Sequence, residues 1–400
     1  MTTALDRPTG QELRGATRAT YAAFIWAGVA MASWATRIPQ VRDELGLGPS
    51  QLGLVLLAIA GGSITSLVLS GQLVARLGSR RTVTAMAAVL AVALSVVGAG
   101  YHLGVAPVVA GLFLFGFANG AWDVAMNVQG AVVEQGLGRS IMPRFHAGYS
   151  VGTVAGALLG TAAVALHVPV TLHLIVIALV AGASTAFTVR RFIPDGPSEQ
   201  SGTTNGSTLR FWTETRTLLV GVFVLAFAFA EGAGIDWIAV AVIDDHQAPA
   251  AVSTLTFAVF LSAMTAGRWF GPALLDRFGR VAVVRTLAAI SLAGLLLFVF
   301  GPSTPVAFVG ALLWGTGASL GFPVGMSAAS DDPKFAAPRV SVVASIGYCA
   351  FLGGPPLIGF LGDHLSVARA LIAVAVVLGV ATLVAGAIRP LPQPAEPAEA

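Results

Sequence analysis

The sequence predicts an all-α integral membrane protein: twelve transmembrane helices in two pseudo-symmetric six-helix bundles. Three observations lead there. Of 400 residues, 56% are hydrophobic and only 10% charged, with a mean hydropathy of +0.83; soluble domains sit near a quarter charged. The apolar stretches run about 20 residues, the length of a membrane-crossing helix and roughly twice that of a barrel strand. The two halves also echo each other at an offset of roughly 200 residues.

The expected spans are 19–36, 50–74, 83–100, 105–133, 142–165, 169–189, 215–242, 251–275, 283–300, 305–330, 339–362 and 367–388. Turn signals separate them, among them Gly46-Leu47-Gly48-Pro49 and Gly301-Pro302-Ser303-Thr304-Pro305. With the N-terminus placed in the cytoplasm, 18 of the 22 Lys and Arg fall on the inner side, Arg7, Arg139 and Lys334 among them. Arg37, Arg42 and Arg369 fall outside, and Arg268 lies within a span. Basic residues favour the cytoplasmic side, so this bias predicts a bacterial inner-membrane protein with both termini cytoplasmic. The first span reads as a mature span, not a cleaved leader. Residues 191–214, rich in Ser, Thr, Gly and Pro, read as a flexible cytoplasmic linker between bundles 1–190 and 215–400.

Other classes are poorly served. The net charge of +3 comes without a basic run, which argues against nucleic acid, and the lone Cys349 excludes an intrachain disulfide or a cysteine metal cluster. No metal-ligand cluster, cofactor motif, nucleotide loop or nucleophile–base arrangement occurs, so neither an enzyme nor an ATP-driven pump is expected.

The repeat is carried by short echoes. Ser33-Trp34 answers Asp236-Trp237, and Leu114-Phe115-Gly116 answers Leu313-Trp314-Gly315. Pro143-Arg144 followed by Ser150-x-Gly152 answers Pro338-Arg339 followed by Ser345-x-Gly347. After the second span of each half come a turn with Arg76, Gly78, Arg80 and Arg81 and one with Asp276, Arg277, Gly279 and Arg280. Glycine permits a tight loop there, and arginines meet lipid phosphates and helix carbonyl ends.

The polar residues inside spans carry the chemistry. Asn119, Asp123 and Asn127, spaced i, i+4, i+8, form one row on the fourth span. An ionised Asp facing lipid at mid-membrane costs roughly 3 kcal/mol, so the row is expected to face other helices or water, next to His146, Tyr149 and Ser150 of the fifth span. Glu231 lies at similar depth in the second half. Burial favours the protonated form of a carboxyl, which makes Asp123 and Glu231 the candidate proton carriers. Asn119, Asn127, His146, Trp237, Arg268, Asp236 and Arg37 are candidate solute contacts. Each has a packing alternative: Asn127 pins Asp123, Arg268 neutralises Glu231, Arg37 snorkels, Asp236 forms an interfacial pair, and His146, Trp34 and Trp237 pack. The third, sixth, ninth and twelfth spans carry no charge in their middles and are expected outside. Gly148, Gly152, Gly156 and Gly160 on the fifth span, and a bend at Gly353-Gly354-Pro355-Pro356 on the eleventh, are expected at a sliding contact between halves.

Two six-helix halves joined by a linker, with R-x-G-x-R turns after the second helix of each, resemble the major facilitator superfamily. That family's turn motif has an acid where this chain has Ala75, whereas the second copy keeps Asp276. The resemblance implies that these turns latch the inner face of the halves. Met31-Ala32-Ser33-Trp34-Ala35-Thr36-Arg37, Ala228-Phe229-Ala230-Glu231-Gly232, Gly317-Ala318-Ser319-Leu320-Gly321-Phe322-Pro323 and Arg339-Val340-Ser341-Val342-Val343-Ala344 are similar to the YbjJ/MosC branch, near the fucose-permease group. This implies a monomeric secondary transporter that imports a small polar solute, sugar- or cyclitol-like, with a proton, by alternating access. The alternative is an exporter of a polar metabolite or drug on the same scaffold.

Overall fold

Apolar side chains on every face of these segments leave helices as the structures that satisfy their own backbone polar groups in a bilayer. The computed structural model describes residues 9–138, 141–195, 208–332 and 335–391. Arg7, Arg139, Lys334 and residues 196–207 of the expected linker lie outside the described residues.

The helices are α1 (Gly10–Ala35), α2 (Ile38–Leu45), α3 (Pro49–Gly100), α4 (Val105–Leu137), α5 (Met142–Ala165), α6 (Val170–Thr188), α7 (Thr208–Phe211), α8 (Thr215–Asp244), α9 (Ala250–Phe278), α10 (Arg280–Phe300), α11 (Thr304–Ala318), α12 (Gly321–Ala329), α13 (Ala336–His364), α14 (Val367–Ala370) and α15 (Ile372–Val384). Gly78, at φ 78° and ψ 160°, divides the 52-residue α3 into two crossings. Gly279, at φ 78° and ψ 156°, separates α9 from α10 in the same way. Both conformations are open chiefly to glycine, so the two halves turn on the same device. With α11–α12 and α14–α15 each forming one crossing, the described chain crosses twelve times. Both described ends of the chain, near residues 9 and 391, therefore lie at one end of the molecule, called here the termini end; the opposite is the far end.

The repeat seen in sequence recurs in packing. A Cβ on Gly116 of α4 would strike the Ile59 carbonyl of α3, and one on Gly315 of α11 would strike the Phe260 carbonyl of α9. In each half, then, the fourth crossing lies backbone-to-backbone on the second.

Between halves, α13 packs on α3 and α5 on α9, with α8 meeting α1 and α2. The fifth and eleventh crossings thus both lie at the contact, but the glycine row of α5 does not. Gly152, Gly156 and Gly160 face Ile25, Val29 and Thr36 of α1, within the same half. Small residues there let two helices of one bundle approach closely. The helix α13 continues through Pro355 and Pro356, and it is Gly53 and Gly359 that bring the far ends of α3 and α13 together, against the Pro355 and Pro49 carbonyls.

Both described ends of the linker are tied down. Asp195 accepts from the Ser79 backbone N–H and hydroxyl, both at 2.5 Å. Glu214, capping the start of α8, accepts from Arg339 Nε at 2.9 Å and Nη2 at 2.7 Å.

Candidate functional site

The central site forms where a broken helix and a partly shielded arginine meet. Pro323 has no N–H to offer the carbonyl four residues earlier, so the tenth crossing interrupts at Ser319-Leu320 and frees the Ser319 carbonyl. Arg268 of α9 donates Nε to that oxygen at 3.3 Å and Nη2 to Glu231 Oε2 of α8 at 2.7 Å. The pair is partly shielded, with side chains 26% and 18% exposed. Of the alternatives open for Arg268, this geometry takes the neutralising one.

Across from this pair, Asp123 of α4 has neutral company. Asn127 Nδ2 donates to the Asp123 backbone carbonyl at 2.8 Å and to Oδ1 at 3.2 Å, as the i, i+4 spacing directs. The Tyr149 phenol of α5 lies within electrostatic reach of Asp123, Glu231 and Arg268 together, and Tyr348 of α13 within reach of Asp123. His146, one turn before Tyr149, is exposed on the same stretch and lies within reach of Arg268. Five helices from both halves therefore meet around one set of ionisable groups. Tyr348 is absent from the sequence-based list, because a phenol in an apolar run carries no charge to flag it.

Other candidates fall elsewhere. Asn119 is half-buried one turn from Asp123, with no side-chain hydrogen bond among the described residues. Trp237 is fully buried, as is Trp34 to within 2%; neither offers a ring face to a solute, so the stacking role gives way to core packing. One residue is about 100° of helix rotation, and Asp236, only partly buried, points to a different side of α8 from Trp237. Asp236 has no hydrogen bond or ion pair among the described residues. Arg37 neither snorkels nor reaches the centre: it is 2% exposed and donates Nε to His173 Nδ1 at 2.9 Å.

The turns at Gly78 and Gly279 do not bridge the halves in this arrangement. Arg76, Arg80, Arg81, Asp276 and Arg277 are exposed, the last with its guanidinium 5.1 Å from the Phe278 ring centroid. Arg280 instead meets Asp331 at 2.6 Å, and Asp331 also receives Arg216 at 2.9 Å, all within the second half. In the first half the carboxylate at the turn is Asp195, which accepts from Ser79. The charged links between halves among the described residues are at the far end: Arg42 donates to Asp244 through Nη1 at 2.5 Å and Nη2 at 2.9 Å, and Ser50 N–H to Asp363 at 3.3 Å; nearer the middle, the Thr265 hydroxyl donates to the Ser150 carbonyl at 3.5 Å. With the far end joined, the latch residues at the termini end stand apart.

Known proteins share this architecture. Residues 19–349 match the family model for the Major Facilitator Superfamily. The chain is 31% identical over 366 residues to an uncharacterized MFS-type transporter of Yersinia pestis, covering 90% of this chain and 92% of that protein. It is 28% identical over 361 residues to the membrane protein MosC of Rhizobium meliloti, covering 89% and 86%. Among solved structures, the nucleoside transporter NupG superposes with a TM-score of 0.72 at 14% identity, covering 94% of this chain and 98% of that one. A variant of the E. coli fucose:proton symporter FucP gives 0.64 at 16%, covering 92% and 97%. A multi-pass membrane chain with this fold, these relatives and two matching halves is a transporter scaffold, and the chain belongs to the major facilitator superfamily.

Proposed function

We propose that the protein is a monomeric secondary active transporter, moving a small polar solute, sugar- or cyclitol-like, across a bacterial inner membrane by alternating access coupled to protons. Its bundles, 1–190 and 215–400, rock about the central site with both termini cytoplasmic, and 191–214 joins them. The observation that carries the proposal is the convergence of Asp123, Tyr149, Glu231, Arg268 and Tyr348 from five helices of both halves. Ionisable groups at membrane depth are costly and mark solute or proton paths, and transporter sites of this kind lie at the interface of repeats.

Roles follow from partners. Asp123, held by a neutral amide, has no countercharge to release when a proton arrives, which fits it to carry one. Glu231 is engaged by Arg268, so it takes a proton only when that pair opens; solute oxygens competing for the arginine's fork of donors would open it. His146, Asn119 and Asp236 line the route as polar contacts. The names of the neighbours, a fucose:proton symporter and a nucleoside transporter, fit a hydroxylated solute.

The test is uptake of labelled sugars, cyclitols and nucleosides into right-side-out and inverted vesicles under an imposed pH gradient. Accumulation that collapses with an uncoupler and with Asp123→Asn supports proton coupling through that site. Accumulation indifferent to both rejects it, and the vesicle orientation that accumulates fixes import against export.

A further inference from the structure

A cluster of arginines without acids lies on the outer wall of the first half, at the termini end. The third crossing, the part of α3 after Gly78, packs along α6. Gly98 of that crossing lies against Leu174, and Gly182 of α6 lies against Ala91. Antiparallel helices keep such a pairing along their length, so toward the termini end Arg80 and Arg81 come opposite Arg190 and Arg191. The short turn Val189–Arg191 that ends the sixth crossing packs on both α1 and α3, and the Arg191 stem lies against Gly15 of α1.

All four arginines are exposed, and none has a side-chain hydrogen bond or ion pair among the described residues. The carboxylate at the turn, Asp195, is taken by Ser79. Four like charges on two neighbouring helix ends repel one another and together attract an anion. The second half is arranged differently. Arg280, at the start of its third crossing, meets Asp331, which leaves Arg285 and Arg389 exposed near the matching seam of α10 with α15.

The wall that runs from the cluster toward the far end is apolar and bare, with Val92, Leu172, Val176 and Leu179 exposed. Phe187 is 63% exposed, and the Arg190 guanidinium lies 5.7 Å from its ring centroid. An arginine resting on an exposed phenylalanine at the foot of an apolar wall sits where acyl chains end and headgroups begin. That is the depth of lipid phosphates and not of solutes in bulk water.

We infer that the seam between the third and sixth crossings binds the headgroup of an anionic phospholipid in the leaflet at the termini end. Its phosphate lies between Arg80, Arg81, Arg190 and Arg191, and its acyl chains run along the wall beyond Phe187. Guanidinium forks match phosphate oxygens, and basic pockets between crossing helices recognise such headgroups. The site is independent of the central one and does not rest on the proposed coupling.

The experiment titrates the full chain in detergent with phosphatidylglycerol or phosphatidylcholine, counting bound lipid by native mass spectrometry. Saturable binding that favours phosphatidylglycerol is expected, weakening as salt rises. Arg81→Gln with Arg190→Gln should weaken it roughly twentyfold, at about fivefold per arginine. Arg285→Gln with Arg389→Gln removes the same charge from the second half and should leave binding at the seam unchanged. If the first double variant does not fold, Arg81→Lys with Arg190→Lys keeps the charge, loses the forks and should still weaken binding. Equal loss in the two double Gln variants would make the attraction a diffuse positive field. Displacement by inorganic phosphate at matched ionic strength would make the ligand a soluble anion. Either result, or equal binding of the two lipids, overturns the inference.

Discussion

Asp123 in the first half and Glu231 in the second act on the same phenol, Tyr149, yet the company they keep differs. One carboxylate leans on an amide of its own helix; the other is held by an arginine that a broken helix also grips. An acid beside a neutral amide changes charge without stranding a partner. An acid beside Arg268 does not, because removing its charge leaves a cation unpaired at membrane depth. In the proposed function this difference gives the two halves different work: the first would carry the proton, and the second would tie that proton to the solute through its arginine.

The largest expected effect comes from breaking the first partner set. Asp123→Asn keeps the shape and the Asn127 contact but removes the titrating group. Accumulation driven by a pH gradient is expected to fall to simple equilibration while downhill exchange of solute persists, read as counterflow in proteoliposomes. Loss of both would place Asp123 in solute binding instead.

Breaking the second set should show first in stability. Glu231→Gln leaves Arg268, partly shielded at membrane depth, without a countercharge, a cost of up to about 3 kcal/mol, read as a lowered Tm in detergent or nanodiscs. The double variant Glu231→Gln with Arg268→Gln should recover most of that loss and still fail to accumulate solute. If Glu231→Gln alone is as stable as the parent, the ion pair is not what holds the tenth crossing at its break.

A smaller effect tests the arrangement in which the two acids share one space. Arg42 and Asp244 join the halves at the far end, with side chains 10% and 33% exposed. Arg42→Gln is expected to cost the far-closed state about 1 kcal/mol, roughly a fivefold shift in population. Distances between spin labels on the far ends of α3 and α13 would report it, and an unshifted distribution would leave the joining to Gly53 and Gly359.

Much of this was legible before the structure. The i, i+4 spacing placed Asn127 on Asp123, and the paired glycine turns announced a duplicated half, because both follow from local backbone geometry. The same local reasoning misplaced Trp237 and Arg37. Which face of a helix meets the core depends on neighbours far away in sequence, and a rotation of one residue exchanged Trp237 for Asp236. The α5 glycine row was visible as a close-packing stripe, but glycine spacing says how near a partner comes and not which helix it is. The break at Ser319-Leu320 was written in Pro323, yet its use became apparent only once Arg268 was seen filling the freed carbonyl.

The smallest effect is expected at Glu214, which sharpens the comparison from outside the membrane. Like Glu231 it is paired with an arginine, but its side chain is 30% exposed. The hydrogen bonds from Arg339, foremost, hold its carboxyl below the ordinary value of 4.5. A carboxylate with a lowered folded pKa contributes stability that is complete above its unfolded value and is lost as pH falls through the folded one. The contribution is therefore present at neutral pH and fades only below about pH 4.5. Glu214→Gln should lower stability at pH 7 by no more than about 1 kcal/mol and flatten the acid limb of a Tm-against-pH curve. A loss as large as that of Glu231→Gln would mean that pairing itself, and not pairing at membrane depth, sets the cost, and the contrast drawn between the two central acids would then lose its basis.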